Sequence, residues 1–220
     1  MRTRARRDAQ AGQGATIRWA FRYDLLVWTL TLGRERTMRT ATLERACVST
    51  GERVLDVGCG TGTLAIAAKR RVGPQGIVCG VDTSAEMAAR AKRKAVNEGI
   101  DVVFDVAPAQ ALPFPDGAFD VVLCTLVMHH LSKEGRRQAL AEIRRVLKPG
   151  GRLLVVDIAE GRGVWAALNP VLLLHGHDEK HVLLESEQAM RRTGFSDVSA
   201  GPLGFGILGF TLGRAKERDA

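Results

Sequence analysis

Short, nearly continuous apolar runs alternate with longer amphipathic stretches through the middle of the chain. Unbroken apolar runs are typical of strands covered on both faces, whereas apolar residues spaced by three and four positions indicate helices. Ser84 and Ser132 stand where an N-cap hydroxyl is expected before two of the helices. The pattern predicts strands over Arg53–Val57, Ile77–Val81, Val102–Val106, Phe119–Cys124 and Leu153–Ile158, and helices over Thr63–Val72, from Ser84 to Asn97, and from Ser132 to about Leu147.

The pattern continues toward both ends of the chain. Helices are predicted over Arg36–Val48 and His181–Thr193, and two strands are predicted in the glycine-rich segment from 195 to 212. The segment Lys148-Pro149-Gly150-Gly151 is predicted to end the helix before it, because proline and glycine both interrupt helices. Strands that alternate with helices predict an α/β fold, with a mostly parallel sheet that is covered by helices on both faces.

The composition is that of one globular domain. The chain has 220 residues, of which 45% are hydrophobic and 25% charged. Its four cysteines form no CxxC pair and no metal-ligand spacing, so we expect free thiols and a cytoplasmic protein. The longest apolar runs have about 8 residues, well short of the roughly 20 that a membrane-spanning helix needs.

The charge is unevenly distributed. The net charge is +8, and Arg2, Arg4, Arg6 and Arg7 lie within a segment that has little else to fold. We predict a disordered basic tail over residues 1–15 and a single domain over 16–220. Such a tail attracts nucleic acid or an anionic membrane surface, although a solvated tail without a specific partner is the simpler interpretation.

Two parts of the domain are predicted to lie beside the alternating core. Residues 16–50 are expected to form an N-terminal helical cap, and residues 159–181 an insert that covers a substrate pocket. The apolar first half of the insert favours an apolar or aromatic small-molecule substrate. Its second half carries His175, His177 and His181, and since nothing fixes their geometry, a solvated loop is expected there and no metal site is predicted.

A glycine loop follows the first predicted strand. Gly58, Gly60 and Gly62 allow a sharp turn and a close ligand approach, but Thr63 stands where a dinucleotide fingerprint requires a third, later glycine. Asp56 precedes the loop, and a carboxylate there would repel a pyrophosphate and suit a cationic ligand with an amino group. A sulfonium amino acid is such a ligand.

Asp82 ends the second predicted strand, 20 residues after the last glycine of the loop. A carboxylate at this position accepts hydrogen bonds from both hydroxyls of a ribose. The alternative, a charge that favours the N-terminus of the next helix, fits Glu86 better than Asp82.

The stretch from Arg53 to Asp157 resembles the class I S-adenosylmethionine-dependent methyltransferases, and more narrowly the ubiquinone/menaquinone-biosynthesis C-methyltransferase type. With YDLLVWTLTLGRERTMRTATL at 23–43, the resemblance covers about three quarters of the chain. It implies a Rossmann-like, doubly wound, seven-stranded sheet in the order 3-2-1-4-5-7-6, S-adenosylmethionine as cofactor and S-adenosylhomocysteine as product. The matching motifs are VLDVGCGTG at 54–62, GVDTSAEM at 80–87, ALPFPDGAFDVV at 111–122, MHHL at 128–131 and EIRRVLKPGG at 142–151.

The resemblance implies roles for individual residues at the cofactor. Asp56, Gly58, Cys59 and Gly60 surround its amino-acid part. Asp82 binds the ribose, Thr83 and Met87 line the adenine, Thr125 faces the sulfonium, and Tyr23 closes over the cofactor. Packing in the core is the alternative role for Met87 and Tyr23, because both residue types fill cores readily.

One position departs from the pattern of the relatives. They usually have Gly-Asp-Ala after the third strand, where the carboxylate accepts from the adenine amino group, but this chain has Ala107-Pro108-Ala109. Gln110, or backbone groups near Ala109, are the candidates to replace that contact. The lost hydrogen bond is worth on the order of 1 kcal/mol, which predicts weaker binding rather than none.

Catalysis by such an enzyme rests mainly on alignment of the acceptor and exclusion of water. A base is needed only if the acceptor carries a proton to be removed. His129, next to His130 after the fourth strand, is the candidate base. The alternative is that His129 contributes only backbone and shape.

The main prediction is a small-molecule methyltransferase that is a monomer or homodimer, with an apolar or aromatic acceptor. One alternative is an RNA or protein methyltransferase, but the Asn/Asp-Pro-Pro-aromatic motif of the nucleic-acid type is absent, and Cys124-Thr125-Leu126-Val127 stands in its place. The other alternative is a non-catalytic cofactor-binding protein, which Pro108 suggests. Contact with a membrane surface is compatible with the basic tail.

Overall fold

The computed structural model describes residues 35–158, 182–205 and 208–216. Within these ranges, helices and strands alternate as the apolar pattern predicts. The elements are α1 (Glu35–Arg45), β1 (Arg53–Val57), α2 (Thr63–Val72), β2 (Ile77–Asp82), α3 (Ala85–Asn97), β3 (Val103–Val106), β4 (Phe119–Thr125), a 3-10 turn (Met128–His130), α4 (Lys133–Val146), β5 (Leu147–Ile158), α5 (Val182–Arg192), β6 (Phe195–Phe205) and β7 (Leu208–Ala215).

All seven strands join in one sheet of order β3-β2-β1-β4-β5-β7-β6. The first five strands pair in parallel, and β7 runs antiparallel to both β5 and β6. This confirms the predicted strand order and the mostly parallel sheet. The chain reverses its direction of winding between β1 and β4, and ligands in such sheets bind at the carboxyl ends of the strands beside this switch point.

The sheet separates two apolar clusters, as expected when both faces of a parallel sheet are covered. In β1, the fully buried side chains of Val54 and Leu55 belong to different clusters, because successive side chains of a strand point to opposite faces. One cluster takes its helical residues from α4 and α5, and the other from α1 and α2. Ser84 and Ser132 accept hydrogen bonds from the backbone N–H groups of Met87 and Gly135, which confirms both predicted N-caps.

The start of β5 differs from the prediction. The strand begins at Leu147, rather than at Leu153, and includes the Lys148-Pro149-Gly150-Gly151 segment that was predicted only to end the helix. Leu147 pairs with Phe119 and is fully buried, and the register between β4 and β5 then shifts before Val121 pairs with Arg152. The four-residue segment therefore lies in a bulge, where the missing N–H of a proline is tolerated.

The cysteines agree with the prediction of free thiols, and three of the four are buried: Cys59, Cys79 and Cys124. None of the described helices is long and apolar enough to cross a membrane. The predicted basic tail, most of the predicted N-terminal cap and the insert at 159–181 lie outside the described residues.

Arg152 connects β5 to the turn that follows α1. Its side chain is only 12% exposed, forms a bidentate pair with Glu52, and donates to the backbone carbonyls of Ala46 and Cys47. We expect Arg152→Lys to lower the free energy of unfolding by about 2 kcal/mol, because a single ammonium cannot span the contacts of a guanidinium. Urea unfolding measures this. Arg70→Lys, which affects the exposed pair with Glu98, should change stability by less than about 0.5 kcal/mol, and equal losses in both variants would contradict this role.

Candidate functional site

The glycine loop folds back against β2 directly after β1. The N–H groups of Gly58 and Cys59 both donate to the carbonyl of Val81, at 2.8 and 2.9 Å. Gly58 has a φ of 72°, a value that few other residue types adopt. A Cβ at Gly58 would lie 2.1 Å from Cγ2 of Val127, in the segment that follows β4. Only glycine therefore lets the two segments meet at the carboxyl ends of β1 and β4.

Asp56 is a buried carboxylate at the floor of this meeting point. It is 2% exposed, and the backbone N–H of Ala65 in α2 donates to it. Its Oδ2 is buried and has no hydrogen-bond partner among the described residues. Burial raises the pKa of Asp56 to about 7; the positive charge of Arg39 opposes this rise and the carboxylate of Asp82 adds to it. A buried acceptor in this state fits a cationic donor such as an ammonium group.

Asp82 lies at the end of β2, beside the same loop. Its Oδ2 accepts from the N–H of Gly60 and its Oδ1 from the N–H of Ser84, both at 2.9 Å. These bonds fix the carboxylate and hold the glycine loop in place. Because a carboxylate oxygen accepts more than one hydrogen bond, both oxygens retain capacity for ligand hydroxyls.

A cleft beside Asp56 is lined from three segments of the chain. Thr125, which was predicted to lie at the cofactor, contributes an Oγ1 that is buried without a hydrogen-bond partner among the described residues. Several lining residues were not predicted: two come from α1, two from the glycine loop and the start of α2, and one from the turn after β4. They are Met38, Arg39, Thr61, Leu64 and Leu126.

Cys59, in the loop, remains a thiol. Burial, together with the nearby carboxylates of Asp56 and Asp82, raises the pKa of the Cys59 thiol well above its ordinary value. Since only the thiolate is a strong nucleophile, Cys59 contributes shape and backbone groups to the loop.

The residues predicted at the adenine lie near the ends of β2 and β3. Thr83 is exposed, and Met87 is buried in the first turn of α3. After β3, Pro108 is exposed and Ala109 is buried. The side chain of Gln110, one of the candidates to replace the missing carboxylate, lies against the start of α4, where a Cβ at Gly135 would be 3.2 Å from its Nε2.

His129 lies in the 3-10 turn after β4 and is paired with a residue that the sequence analysis had not assigned a role. Its Nδ1 is 2.6 Å from Oδ1 of Asp157, at the end of β5, and the side chains of His129 and Asp157 are 9% and 0% exposed. The neighbouring His130 is exposed, and the two rings lie 3.9 Å apart. Neighbouring strands thus bring together residues 28 positions apart in sequence.

Some predictions fall on residues outside the described ranges. These are the role of Tyr23 and the loop with His175, His177 and His181. Among the residues that are described, no group of three or more histidine, cysteine, aspartate or glutamate side chains is arranged to hold a metal ion.

Comparison with known proteins places this site in a family context. Residues 54–151 match the model of a methyltransferase domain family. The chain is 36% identical to the ubiquinone/menaquinone biosynthesis C-methyltransferase UbiE of Laribacter hongkongensis over 170 residues, 76% of this chain and 68% of that protein. It is 43% identical to the demethylmenaquinone methyltransferase of Thermus thermophilus over 136 residues, 62% of this chain and 60% of that protein. The match therefore spans about two thirds or less of the length of these relatives.

Solved structures agree on the fold. A SAM-dependent methyltransferase from Aquifex aeolicus superposes with a TM-score of 0.67 at 23% identity, over 80% of this chain and 89% of that chain. At this identity the likeness concerns the arrangement of the strands and helices alone.

Proposed function

Because this chain belongs to the class I S-adenosylmethionine-dependent methyltransferases of the ubiquinone/menaquinone C-methyltransferase type, we propose that it methylates a small, apolar aromatic acceptor of the prenylated quinol class. The observation that carries the proposal is the buried and unpartnered Oδ2 of Asp56 at the switch point of the sheet. Among the described residues no donor reaches this acceptor, and the cationic amino group of S-adenosylmethionine would supply one.

The residues around the cleft fit the amino-acid part of the cofactor. Asp56 accepts from the α-ammonium group, and Arg39, which lines the same cleft, attracts the α-carboxylate. Gly58 and Gly60 contribute backbone atoms that line this end of the site, where the missing side chains allow the cofactor to approach closely. When bound, S-adenosylmethionine supplies a methyl group that is activated by its sulfonium, so the protein has to position the acceptor and exclude water.

We assign the nucleoside part of the cofactor to residues at or just after the ends of β2 and β3. Asp82 accepts from the ribose hydroxyls, while Thr83 and Met87 line the adenine. Gln110 lies against Gly135, which favours backbone groups near Ala109 as the replacement for the missing carboxylate. Pro108 shapes the edge of the adenine site and donates no hydrogen bond.

The acceptor class rests on the relatives. One is named for a C-methylation step of ubiquinone and menaquinone biosynthesis, and the other for the methylation of demethylmenaquinone.

Transfer of a labelled methyl group tests the proposal. The purified protein is incubated with labelled S-adenosylmethionine and with demethylmenaquinol, phosphatidylethanolamine or total RNA, and calorimetry measures cofactor binding in parallel. We expect label in the quinol and, at a cofactor concentration near the wild-type Kd, far less label with Asp56→Asn as the matched control. Cofactor binding with label in lipid or RNA alone would overturn the acceptor class. Absence of cofactor binding would overturn the cofactor site as well.

The nucleic-acid alternative depends on the basic segment 1–15, which lies outside the described residues. The RNA arm of the transfer assay decides it directly. If it were correct, the yield of labelled RNA would fall steeply with salt, because binding through arginines releases counterions from the phosphates.

A further inference from the structure

We propose that Glu142 and Arg145, on α4, are positioning residues for recognition of the cofactor's adenine. They hold the connection between β3 and β4 in a shape that presents backbone N–H groups to the base. The proposal rests on the proposed cofactor site and deepens it. It accounts for the binding of adenine by a chain that has Ala107-Pro108-Ala109 where the relatives have a carboxylate.

The connection between β3 and β4 runs along one face of α4. Near its start, the side chain of Gln110 lies against Gly135, where an added Cβ would be 3.2 Å from Nε2 of the glutamine. Further along the helix, Oε2 of Glu142 accepts from the backbone N–H of Leu112 at 2.9 Å. Gly135 and Glu142 lie on the same face, because seven positions make about two turns of an α-helix. The connection is therefore held at two points along α4.

Arg145 binds the same connection one turn later. Its guanidinium donates to the backbone carbonyls of Leu112 and Phe114, at 3.0 and 2.7 Å, and to both carboxylate oxygens of Glu142 at 2.8 Å. Its own carbonyl accepts from the N–H of Gly117 at 3.0 Å. The hydrogen bonds from Arg145 lower the pKa of the Glu142 carboxyl, so the pair stays ionised at neutral pH. A planar guanidinium suits this set of acceptors, since its N–H groups project in fixed directions.

The loop over residues 107–112 is fixed at both of its ends. At the first end, the N–H of Ala107 donates to the carbonyl of Asp82 at 3.1 Å, which connects the loop to the residue assigned to the ribose. At the other end, Leu112 is bound by Glu142, and its buried side chain belongs to the same apolar cluster as Ala107. The backbone between the two ends is therefore held in one shape before a ligand binds.

Two backbone donors remain in the middle of this loop. No hydrogen bond to any described residue uses the N–H of Ala109 or of Gln110. The next N–H, that of Ala111, donates to the carbonyl of Pro108 at 3.1 Å and closes a turn around both donors. Ala109 is only 6% exposed, and a backbone donor at such a position is rarely left without an acceptor. The ring nitrogens of adenine are acceptors, so the base completes the hydrogen bonds of the loop.

The contribution of α4 to affinity is preorganisation. A loop that already has its bound shape loses less conformational entropy when the ligand arrives. Without the pair of Glu142 and Arg145, the loop would keep only the hydrogen bond of Ala107 and the packing of Leu112, and the ligand would have to order the backbone between them. The pair thus acts through the loop and does not touch the cofactor.

Amide hydrogen exchange, followed residue by residue by NMR, tests the wild-type protein. Without ligand, we expect the Leu112 amide to exchange slowly and the amides of Ala109 and Gln110 to exchange faster. S-adenosylhomocysteine should slow exchange at Ala109 and Gln110 and shift both amide signals. If the ligand binds and leaves both amides unchanged, the inference is wrong while the proposed function stands. If the ligand does not bind, the proposed function itself has failed.

Glu142→Gln tests the positioning role. An amide has a single acceptor oxygen, and its NH2 group would face donors of Leu112 or Arg145. We expect calorimetry to show that S-adenosylhomocysteine binds about 10-fold more weakly. S-ribosylhomocysteine, which lacks the base, should lose less than about 2-fold. Arg145→Lys should behave in the same way, whereas a general structural defect would weaken both ligands equally.

Glu134→Gln is the matched control, because Glu134 forms an exposed pair with Arg137 three positions along the same helix. It should change neither affinity. Equal losses of both ligands in Glu142→Gln, or wild-type affinity for S-adenosylhomocysteine in both Glu142→Gln and Arg145→Lys, would overturn the inference. Should these variants not fold, or S-ribosylhomocysteine bind too weakly to compare, the amide exchange of the wild type decides alone.

Discussion

Asp56→Asn is expected to weaken binding of S-adenosylmethionine by about 100-fold or more and, at the same time, to stabilise the free protein at pH 8. Removing one partner of a buried charge pair costs about 2–5 kcal/mol of binding energy, which corresponds to a factor of this size. The unpartnered Oδ2 of Asp56 is the acceptor that the ligand's ammonium would lose. Calorimetric titration with the cofactor measures the loss.

The gain in stability follows from the raised pKa of Asp56. Its ordinary value of 3.8 rises to about 7 in the folded protein, so above pH 7 folding has to bury a charge that the unfolded chain exposes to water. At pH 8 the buried charge lowers the free energy of unfolding of the wild type by an amount on the order of 4 kcal/mol. In the variant, the unsatisfied Asn amide lowers the free energy of unfolding by about 1–3 kcal/mol. The net gain at pH 8 is about 2 kcal/mol, and it shrinks as the pH falls from 7 toward 4, because the folded protein then carries a neutral Asp56.

The pH dependence of cofactor binding has the opposite sign. Below about pH 7 the free protein holds Asp56 protonated, and the ligand has to displace that proton, so the affinity should fall as the pH decreases. Asp105→Asn, an exposed carboxylate on β3, is the matched control and should change neither affinity nor stability by more than a few tenths of a kcal/mol. If Asp56→Asn bound the cofactor like the wild type, Asp56 would not be the ammonium acceptor.

The position of Asp56 and Asp82 at the carboxyl ends of β1 and β2 could be predicted from the sequence, because the apolar run of each strand is easy to recognise. In a parallel sheet, the ends of neighbouring strands meet at one edge, so two residues far apart in the chain could be assigned to one site. The role predicted for Thr125 came from the family resemblance. Neither source predicted Arg39, because no local signal indicates which face of α1 packs against the switch point.

The pairing of His129 with Asp157 was beyond sequence reasoning for a different reason. The histidine was singled out by its place after β4, but its partner depends on the turn at Leu126, where a leucine adopts a positive φ. Leucine carries no preference for that conformation. The bulge at the start of β5 was missed in a similar way, because Lys148-Pro149-Gly150-Gly151 has the composition of a helix stop and gives no sign of a strand on its N-terminal side.

Gly62→Ala is expected to lower the free energy of unfolding by about 3 kcal/mol, the largest loss that we predict for a single methyl group. Two effects add at this position, which precedes the first residue of α2. Gly62 has a φ of 78°, and a Cβ there would lie 2.7 Å from Cβ of Ala91 and 2.8 Å from the ring of Phe104. Ala91 sits in α3 and is fully buried, so its Cβ can move only if the helix moves.

Gly99→Ala separates the two effects. Gly99 has a similar φ of 63°, but none of the described residues has an atom within 4 Å of the position of an added Cβ, so this variant reports the backbone strain alone, about 1 kcal/mol. Urea unfolding of both variants measures the difference, and equal losses would mean that α3 yields to the added methyl group at little cost. Gly62 ends the glycine loop, in which the N–H of Gly60 donates to Asp82, so a shift at Gly62 would disturb this contact. We therefore expect Gly62→Ala, unlike Gly99→Ala, to weaken cofactor binding under conditions in which both proteins remain folded.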